Sequence, residues 1–228
     1  MTGTLINVGT VLLGTLVGVL LGPHLPEGLH QRVMAGLGLL TILIGIDLGL
    51  ALREVSPVFV LVGVLAGGIA GELLGIERRL ERLGDRIQAA VSRGGPSRVS
   101  EGFVTASLLF CVGPLTVVGA IQDGLTGDFQ ALLTKALLDG FAAIALAATL
   151  GWGVGIAAGT VLVVQGGIAL GAGLFDDVLV GEALDALTAA GGLLILGIGL
   201  KLLGVADVKV GNFLPALVFA PALALIFG

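Results

Sequence analysis

Residues 130–174, QALLTKALLDGFAAIALAATLGWGVGIAAGTVLVVQGGIALGAGL, run for 45 positions with only two charged side chains, Lys135 and Asp139. A helix rises about 1.5 Å per residue and the hydrocarbon core of a bilayer is about 30 Å thick, so one crossing takes about 20 residues. The stretch is too long for one crossing and suits two. Glycine permits a tight turn between them at Gly151-Trp152-Gly153-Val154-Gly155.

The rest of the chain has the same character. Its 228 residues are 56% hydrophobic and 12% charged and include 40 glycines, with a mean hydropathy of +1.13. Soluble domains carry about 25% charged residues and about 7% glycine, so no water-facing surface can be built from this composition. The glycines follow no three-residue period, which excludes collagen, and the apolar fraction excludes disorder. One cysteine, Cys111, permits no internal disulfide framework. A net charge of -5 and a pI near 4.9 argue against nucleic acid as a partner.

Eight runs have the length of a crossing: residues 4–22, 33–51, 56–75, 102–122, 130–150, 155–174, 184–203 and 210–227. The predicted fold is an all-α polytopic transmembrane bundle. The first run lacks a basic leader and a small-residue cleavage site, so it reads as a permanent span rather than a signal peptide. Arg78, Arg79, Arg82, Arg86, Arg93 and Arg98 all fall in the long loop after the third span, which places that loop in the cytoplasm of a bacterial plasma membrane and both termini outside. The acidic segment Asp176-Asp177 to Asp185 then also lies outside. Within the loop, Ile76, Leu80, Leu83, Ile87 and Val91 recur at helical spacing between arginines, the pattern of an amphipathic helix on anionic lipid or against a partner.

Sliding the chain by 154 positions sets Gly38 to Leu48 over Gly192 to Leu202 with six of eleven residues identical. Asn7 in span one and Gln165 in span six each place an amide beside glycine. These matches predict a repeat of spans one to three (residues 1–76) in spans six to eight (155–228), inverted through the membrane. A cytoplasmic segment (77–100) and a central hairpin (101–154) separate the copies. Inverted repeats are a feature of secondary transporters, whose sites lie between the copies. Gly14, Gly18 and Gly22, and Gly63, Gly67, Gly71 and Gly75, form stripes four residues apart, suited to packing within the bundle or to a homo-oligomer interface.

Asp47, Glu72, Lys135, Asp139 and Lys201 fall inside predicted spans, where a charge costs about 2.5 to 3.5 kcal/mol at the helix centre. Glu72 and Lys201 lie near a cytoplasmic end and can reach headgroups. Asp47 lies about one turn from the outer end of span two, at a depth that would let it meet Lys135. Asp139 is deepest, and Lys135 one turn away shares its face. The two form either a neutral pair that serves insertion or a proton or cation relay. In span four, Cys111-Val112-Gly113-Pro114-Leu115-Thr116 places proline mid-membrane, where it kinks or breaks the helix and frees carbonyls. Those carbonyls, with Thr116 and Cys111, are candidate ligands for an ion or polar solute. Asn7 and Gln165 are interhelical amides or ligands, and Asp123 and Asp128 are expected as solvated residues of an outer turn. Metalloprotease, P-loop and serine-elbow motifs are missing and His24 and His30 share one polar loop, so neither an enzyme nor a cofactor is expected.

LFCVGPLTVVGAIQDGLTGD (109–128), LLTKALLDG (132–140), VLVVQGG (161–167), GGLLILGIGLKLLG (191–204) and NFLPALVFAP (212–221) together resemble the YqgA-like family of bacterial membrane proteins. The similarity covers essentially the whole chain, and the Lys-x-x-x-Asp-Gly and Gln-Gly elements are specific in combination. The family more often carries serine where Ala136 stands, which leaves that position without a hydroxyl here. The resemblance implies a membrane protein of unknown function, sometimes described as a transport protein, and directs attention to Cys111–Gly140 and Gln165. The expected function is proton- or cation-coupled transport of a small solute, against a non-transporting scaffold or binding protein, or a channel. The arginine loop makes the topology testable: cysteines introduced near Arg86 should react with an impermeant reagent only after the membrane is opened, and cysteines near Asp177 should react from outside. The reverse pattern would overturn the orientation.

Overall fold

The computed structural model describes residues 1–24, 26–91, 98–174 and 178–228; Arg93 and Asp176-Asp177, used above for orientation, lie outside them. All regular structure among the described residues is helical: α1 (Thr2–Leu21), α2 (Glu27–Gly49), α3 (Pro57–Leu74), α4 (Ile76–Val91), α5 (Val99–Cys111), α6 (Pro114–Leu125), α7 (Gln130–Leu150), α8 (Gly153–Leu170), α9 (Gly181–Leu202) and α10 (Ala216–Phe227). Among the described residues seven stretches are long and apolar enough to cross a membrane. These are α1, α2, α3, α7, α8, α9 and the run Val210–Phe227 that contains α10; α5 and α6, bent by 63° at their junction, supply an eighth as a broken span.

Local chemistry explains the boundaries. Pro57 opens α3, where its missing N–H costs nothing, and Gly75 closes it in the left-handed region at φ +62° before α4 begins. Gly151, at φ +75°, makes the expected turn between α7 and α8. The span-four break is complete: α5 stops at Cys111, Gly113 takes φ +145°, and Pro114 starts α6. Two expectations need correction. Helix α2 begins at Glu27 rather than residue 33, so His30 is helical, and its Nε2 donates to the Ala148 carbonyl at the end of α7 (2.8 Å). The last span is not one helix from residue 210, because Val210–Phe213 forms a 3-10 turn and Pro215 precedes α10.

The chain forms two compact units that interleave along the sequence. The first comprises Met1–Leu37, Leu80–Cys111 and Leu115–Ala172, the second Gly38–Arg79, Val112–Pro114 and Gly173–Gly228. In the first, α1 runs parallel to α7 and antiparallel to α8, and α5 lies parallel to α8. In the second, the later half of α2 packs antiparallel to α9, and α3 antiparallel to α10, around a core of Val55, Val60, Ala186, Ala189, Ala190, Ala220 and Ala224.

Small residues make the closest of these contacts, and many large ones face outward. Gly14 and Gly18 lie against the Gly140 and Ile144 carbonyls of α7, and Gly63 and Gly67 against Ala220 and Ala216 of the last span. Both glycine stripes are thus occupied within the chain. Leu73 and Leu170, by contrast, are 83% and 78% exposed, as lipid-facing side chains are. A Cβ at Gly63 would stand 2.6 Å from the Ala220 Cα. Gly63→Leu should therefore push α3 off α10 and destabilise the protein by about 1–3 kcal/mol, read as a lower unfolding temperature in detergent. Gly9→Ala, with nothing within 4 Å of the added carbon, should leave that temperature unchanged or raise it.

Candidate functional site

Lys135 and Asp139 stand one turn apart near the middle of α7, 6% and 8% exposed. The Lys135 ammonium donates to Asp139 Oδ2 in a buried ion pair. Helix α1 brings Asn7 to the same oxygen: its Nδ2 donates to Asp139 Oδ2 at 2.9 Å and to Gln165 Oε1, on α8, at 3.0 Å. Three helices of the first unit are thus joined through Asn7, which bonds Asp139 on α7 and Gln165 on α8. They come this close because Gly14 and Gly140 let α1 approach α7, while Thr4 and Thr15 of α1 pack near Gly166 and Gly155 of α8. The Cys111 thiol, half-buried at the end of α5, stands within electrostatic reach of Lys135 and Asp139.

The cluster is incompletely satisfied. Asn7 Oδ1, Gln165 Nε2 and Thr4 Oγ1 belong to fully buried residues and have no hydrogen-bond partner among the described residues. A buried polar atom left in this condition costs about 1–3 kcal/mol, and native proteins contain few. Three within about a turn of each other on facing helices, beside an ion pair, mark a place where a polar guest would be stabilised.

The other predicted residues lie elsewhere. Thr116 donates its hydroxyl to the Phe110 carbonyl at 3.2 Å, so one carbonyl freed by the break is already answered from within the chain. Gly113 and Pro114 group with the second unit, where Gly113 neighbours Gly191 and Ile195. Asp47 is exposed on α2 and also belongs to that unit. Glu72 is exposed and accepts from Asn212 Nδ2. Lys201 pairs with Asp207 at 3.2 Å and lies 3.8 Å from Glu77. Asp128 is exposed and caps α7 by accepting from the Gln130 N–H (3.0 Å).

Asp123 corrects the expectation of a solvated turn residue. It is 3% exposed, accepts from the Gly3 N–H at 2.9 Å and lies 2.9 Å from the Met1 amino nitrogen, because it sits in the last turn of α6 facing the uncapped start of α1. A helix N-terminus offers free N–H groups and positive potential, and Asp123 answers both from another helix. Glu77 was not singled out by sequence at all. In the first turn of α4 it reads as a solvated acid of an amphipathic helix, yet it is 1% exposed. Its carboxylate accepts from the Gly211 N–H (2.6 Å), and its own N–H donates to Asn212 Oδ1 (2.8 Å), so it fixes the 3-10 turn that begins the last span.

Comparison with known proteins identifies the family. Residues 2–225 match the family described as "Protein of unknown function (DUF554)", and the chain belongs to it. It is 31% identical over 223 residues to the uncharacterized membrane protein YdfK of Bacillus subtilis (strain 168), covering 97% of this chain and 94% of the relative. It is 33% identical over 226 residues to the uncharacterized protein YqgA of Escherichia coli (strain K12), covering 97% and 95%. No solved structure matches. Family membership and the long apolar helices together make the chain a polytopic membrane protein.

Glu77 gives a direct check on this geometry. Glu77→Ala strips the acceptor from Gly211 and should cost about 2 kcal/mol, visible as a lower unfolding temperature in detergent. Glu81→Ala, one turn further along the same helix and exposed, should change stability by no more than about 0.5 kcal/mol.

Proposed function

We propose that this DUF554 protein is a secondary transporter of a small solute or ion, coupled to protons or another ion, working at the Lys135–Asp139–Asn7–Gln165 cluster in a bacterial plasma membrane. One observation carries the reading: beside the buried pair, Asn7 Oδ1, Gln165 Nε2 and Thr4 Oγ1 are buried without partners among the described residues. A pair that served only to bring α7 into the membrane would gain from satisfied or apolar neighbours, whereas a site that loads and unloads a guest keeps donors and acceptors in reserve.

The packing of related helices supports the reading. The helices that the inverted repeat would make equivalent pack on one another: α1 on α8 in the first unit, and α2 on α9 and α3 on α10 in the second. Gly38 meets Gly199 while Gly45 meets Gly192. The offset of 154 carries Gly38 onto Gly192 and Gly45 onto Gly199, so it exchanges these two contacts, as a two-fold axis between the copies would. Alternating-access transporters are commonly built on such inverted pairs.

For orientation, α4 docks by one edge. Gln88 Oε1 accepts from the Ser100 N–H (3.1 Å) and Glu77 holds Asn212, leaving Arg78, Arg79, Arg82 and Arg86 exposed along the opposite flank and Leu83 46% exposed. That arrangement suits a helix lying on anionic cytoplasmic lipid.

A second reading, a scaffold without flux, takes its support from the closeness of the Lys135–Asp139 pair, which already neutralises both charges. Asp139→Asn separates the two readings because it keeps the side chain's shape and removes its charge. It should abolish ion-coupled uptake in proteoliposomes while the protein still elutes as a single folded species. Uptake at the native rate would reduce the pair to a structural one. Glu72→Gln should change uptake little, since Glu72 is exposed near the end of α3.

A further inference from the structure

Five buried side-chain atoms lack a hydrogen-bond partner among the described residues: Thr4 Oγ1, Asn7 Oδ1, Thr15 Oγ1, Asp123 Oδ1 and Gln165 Nε2. All five lie on α1 or against it. Asn7 and Thr15, three and eleven residues on from Thr4, return to nearly the same side of the helix. Thr4 lies beside Gly166 and Thr15 beside Gly155, so that side looks at α8. Gln165 is bonded to Asn7, and Asp123 sits at the start of α1 with its other oxygen taken by the Gly3 N–H.

The chemistry of the five atoms is mixed. The oxygens of Asp123 and Asn7 accept, Gln165 Nε2 donates, and the two hydroxyls do either. The amide orientations follow from Asp139, whose Oδ2 accepts and therefore meets Asn7 Nδ2; the same nitrogen takes Gln165 Oε1, which leaves Asn7 Oδ1 and Gln165 Nε2 over. A guest that answers all of them must donate and accept at once, and must be small. Water is such a guest, and a buried water makes about three hydrogen bonds to polar groups that the chain leaves unanswered. The α1–α8 contact also has room. A carbon added at Gly166, next to Gln165, would meet nothing closer than 3.4 Å, whereas one at Gly14, in the α1–α7 contact, would stand 2.4 Å from the Gly140 carbonyl oxygen.

We propose that a file of bound water runs along the α8-facing side of α1 from Asp123 to Asp139, and that Val11 closes it beyond that point. The file stands apart from the transport reading, since it needs no solute to move. Thr4 and Asn7 are about 4.5 Å apart along the helix axis, less than the roughly 5.5 Å that one water spans through two hydrogen bonds. Asn7 and Thr15 are about 12 Å apart, and Val11 stands between them with no exposed surface. On α8 the corresponding stretch between Gly155 and Gln165 carries Ala158 and Val161, both buried and apolar. No polar group holds a water there.

The consequence is one-sided access. The file opens at the α6–α7 turn, where residues 124–128 are exposed, and it gives the buried Asp139 carboxylate an aqueous connection to that side only. A proton taken from bulk water at the turn moves along it by forming one O–H bond and breaking another at each water, and it ends on Asp139. Thr15 lies past the apolar stretch, within reach of the opposite end of α8.

The test uses the full chain in proteoliposomes. In a solid-state NMR measurement that transfers magnetisation from water, the side-chain amide of Gln165 should respond as quickly as that of the exposed Gln130. A response as slow as the buried backbone amide of Ala157 would overturn the file. Gly166→Ala places a methyl group in the free space without a clash and should slow the Gln165 response to the buried rate; an unchanged response would overturn the placement. Closure is read separately, as collapse of a pH gradient followed by a dye inside the vesicles. Val11→Thr keeps the shape of the side chain and adds one hydroxyl to the gap, so the proton leak should rise about tenfold, the effect of one hydrogen bond on a barrier. Val11→Leu should stay as tight as the native protein. A leak at the native rate in Val11→Thr would overturn the closure assigned to Val11.

Discussion

Two helices in hydrocarbon gain nothing by hiding leucine from each other, since lipid tails are as apolar as leucine, so their association depends on how closely their backbones approach. In this protein the approach is set by glycine and alanine. Gly14 meets Gly140, Gly18 meets Ile144, and Gly67 meets Ala216, while many leucines and valines of the same helices, Leu13, Leu137 and Val218 among them, face outward. The polar cluster depends on that closeness. Asn7 has a short side chain, and it reaches both Asp139 on α7 and Gln165 on α8 because glycines bring both helices against α1. Widening either contact by the size of one methyl group would stretch hydrogen bonds of 2.9 and 3.0 Å past useful length.

This dependence explains what could be read from the amino-acid sequence. Span existence followed from length and hydropathy, and the break at Gly113-Pro114 followed from proline's missing N–H, because each is a property of a single segment. The Lys135–Asp139 pair was legible for the same reason, as residues four apart on a helix share a face. Asn7 and Gln165 could be named as unusual amides, but that Asn7 joins Asp139 to Gln165 is a matter of register among three helices, which no local pattern states. Asp123 and Glu77 show the limit most clearly. Each sits at a helix end, where acids are ordinarily solvated, and each is buried because a distant segment, Gly3 in one case and Gly211-Asn212 in the other, needs an acceptor there. One signal was available for Glu77: it lies two residues after Gly75, a left-handed cap that turns the chain sharply back, so the next helix starts against the protein rather than away from it.

The cluster is energetically costly for a purely structural element. Removing two charges from water costs several kcal/mol per ion, and an apolar substitute of similar volume is often neutral or stabilising. Unpartnered atoms on Asn7, Gln165 and Thr4 add to that cost, and close packing on all sides stops them from relaxing away. Elsewhere in the same unit Thr10 donates to the Asn7 carbonyl, Thr116 to Phe110, and one oxygen of Asp123 accepts from Gly3, while Asp123 Oδ1 and Thr15 Oγ1 are buried without a partner among the described residues. A neutral pair also lowers the cost of insertion. With Lys135 and Asp139 paired, α7 enters the bilayer without net charge at this depth.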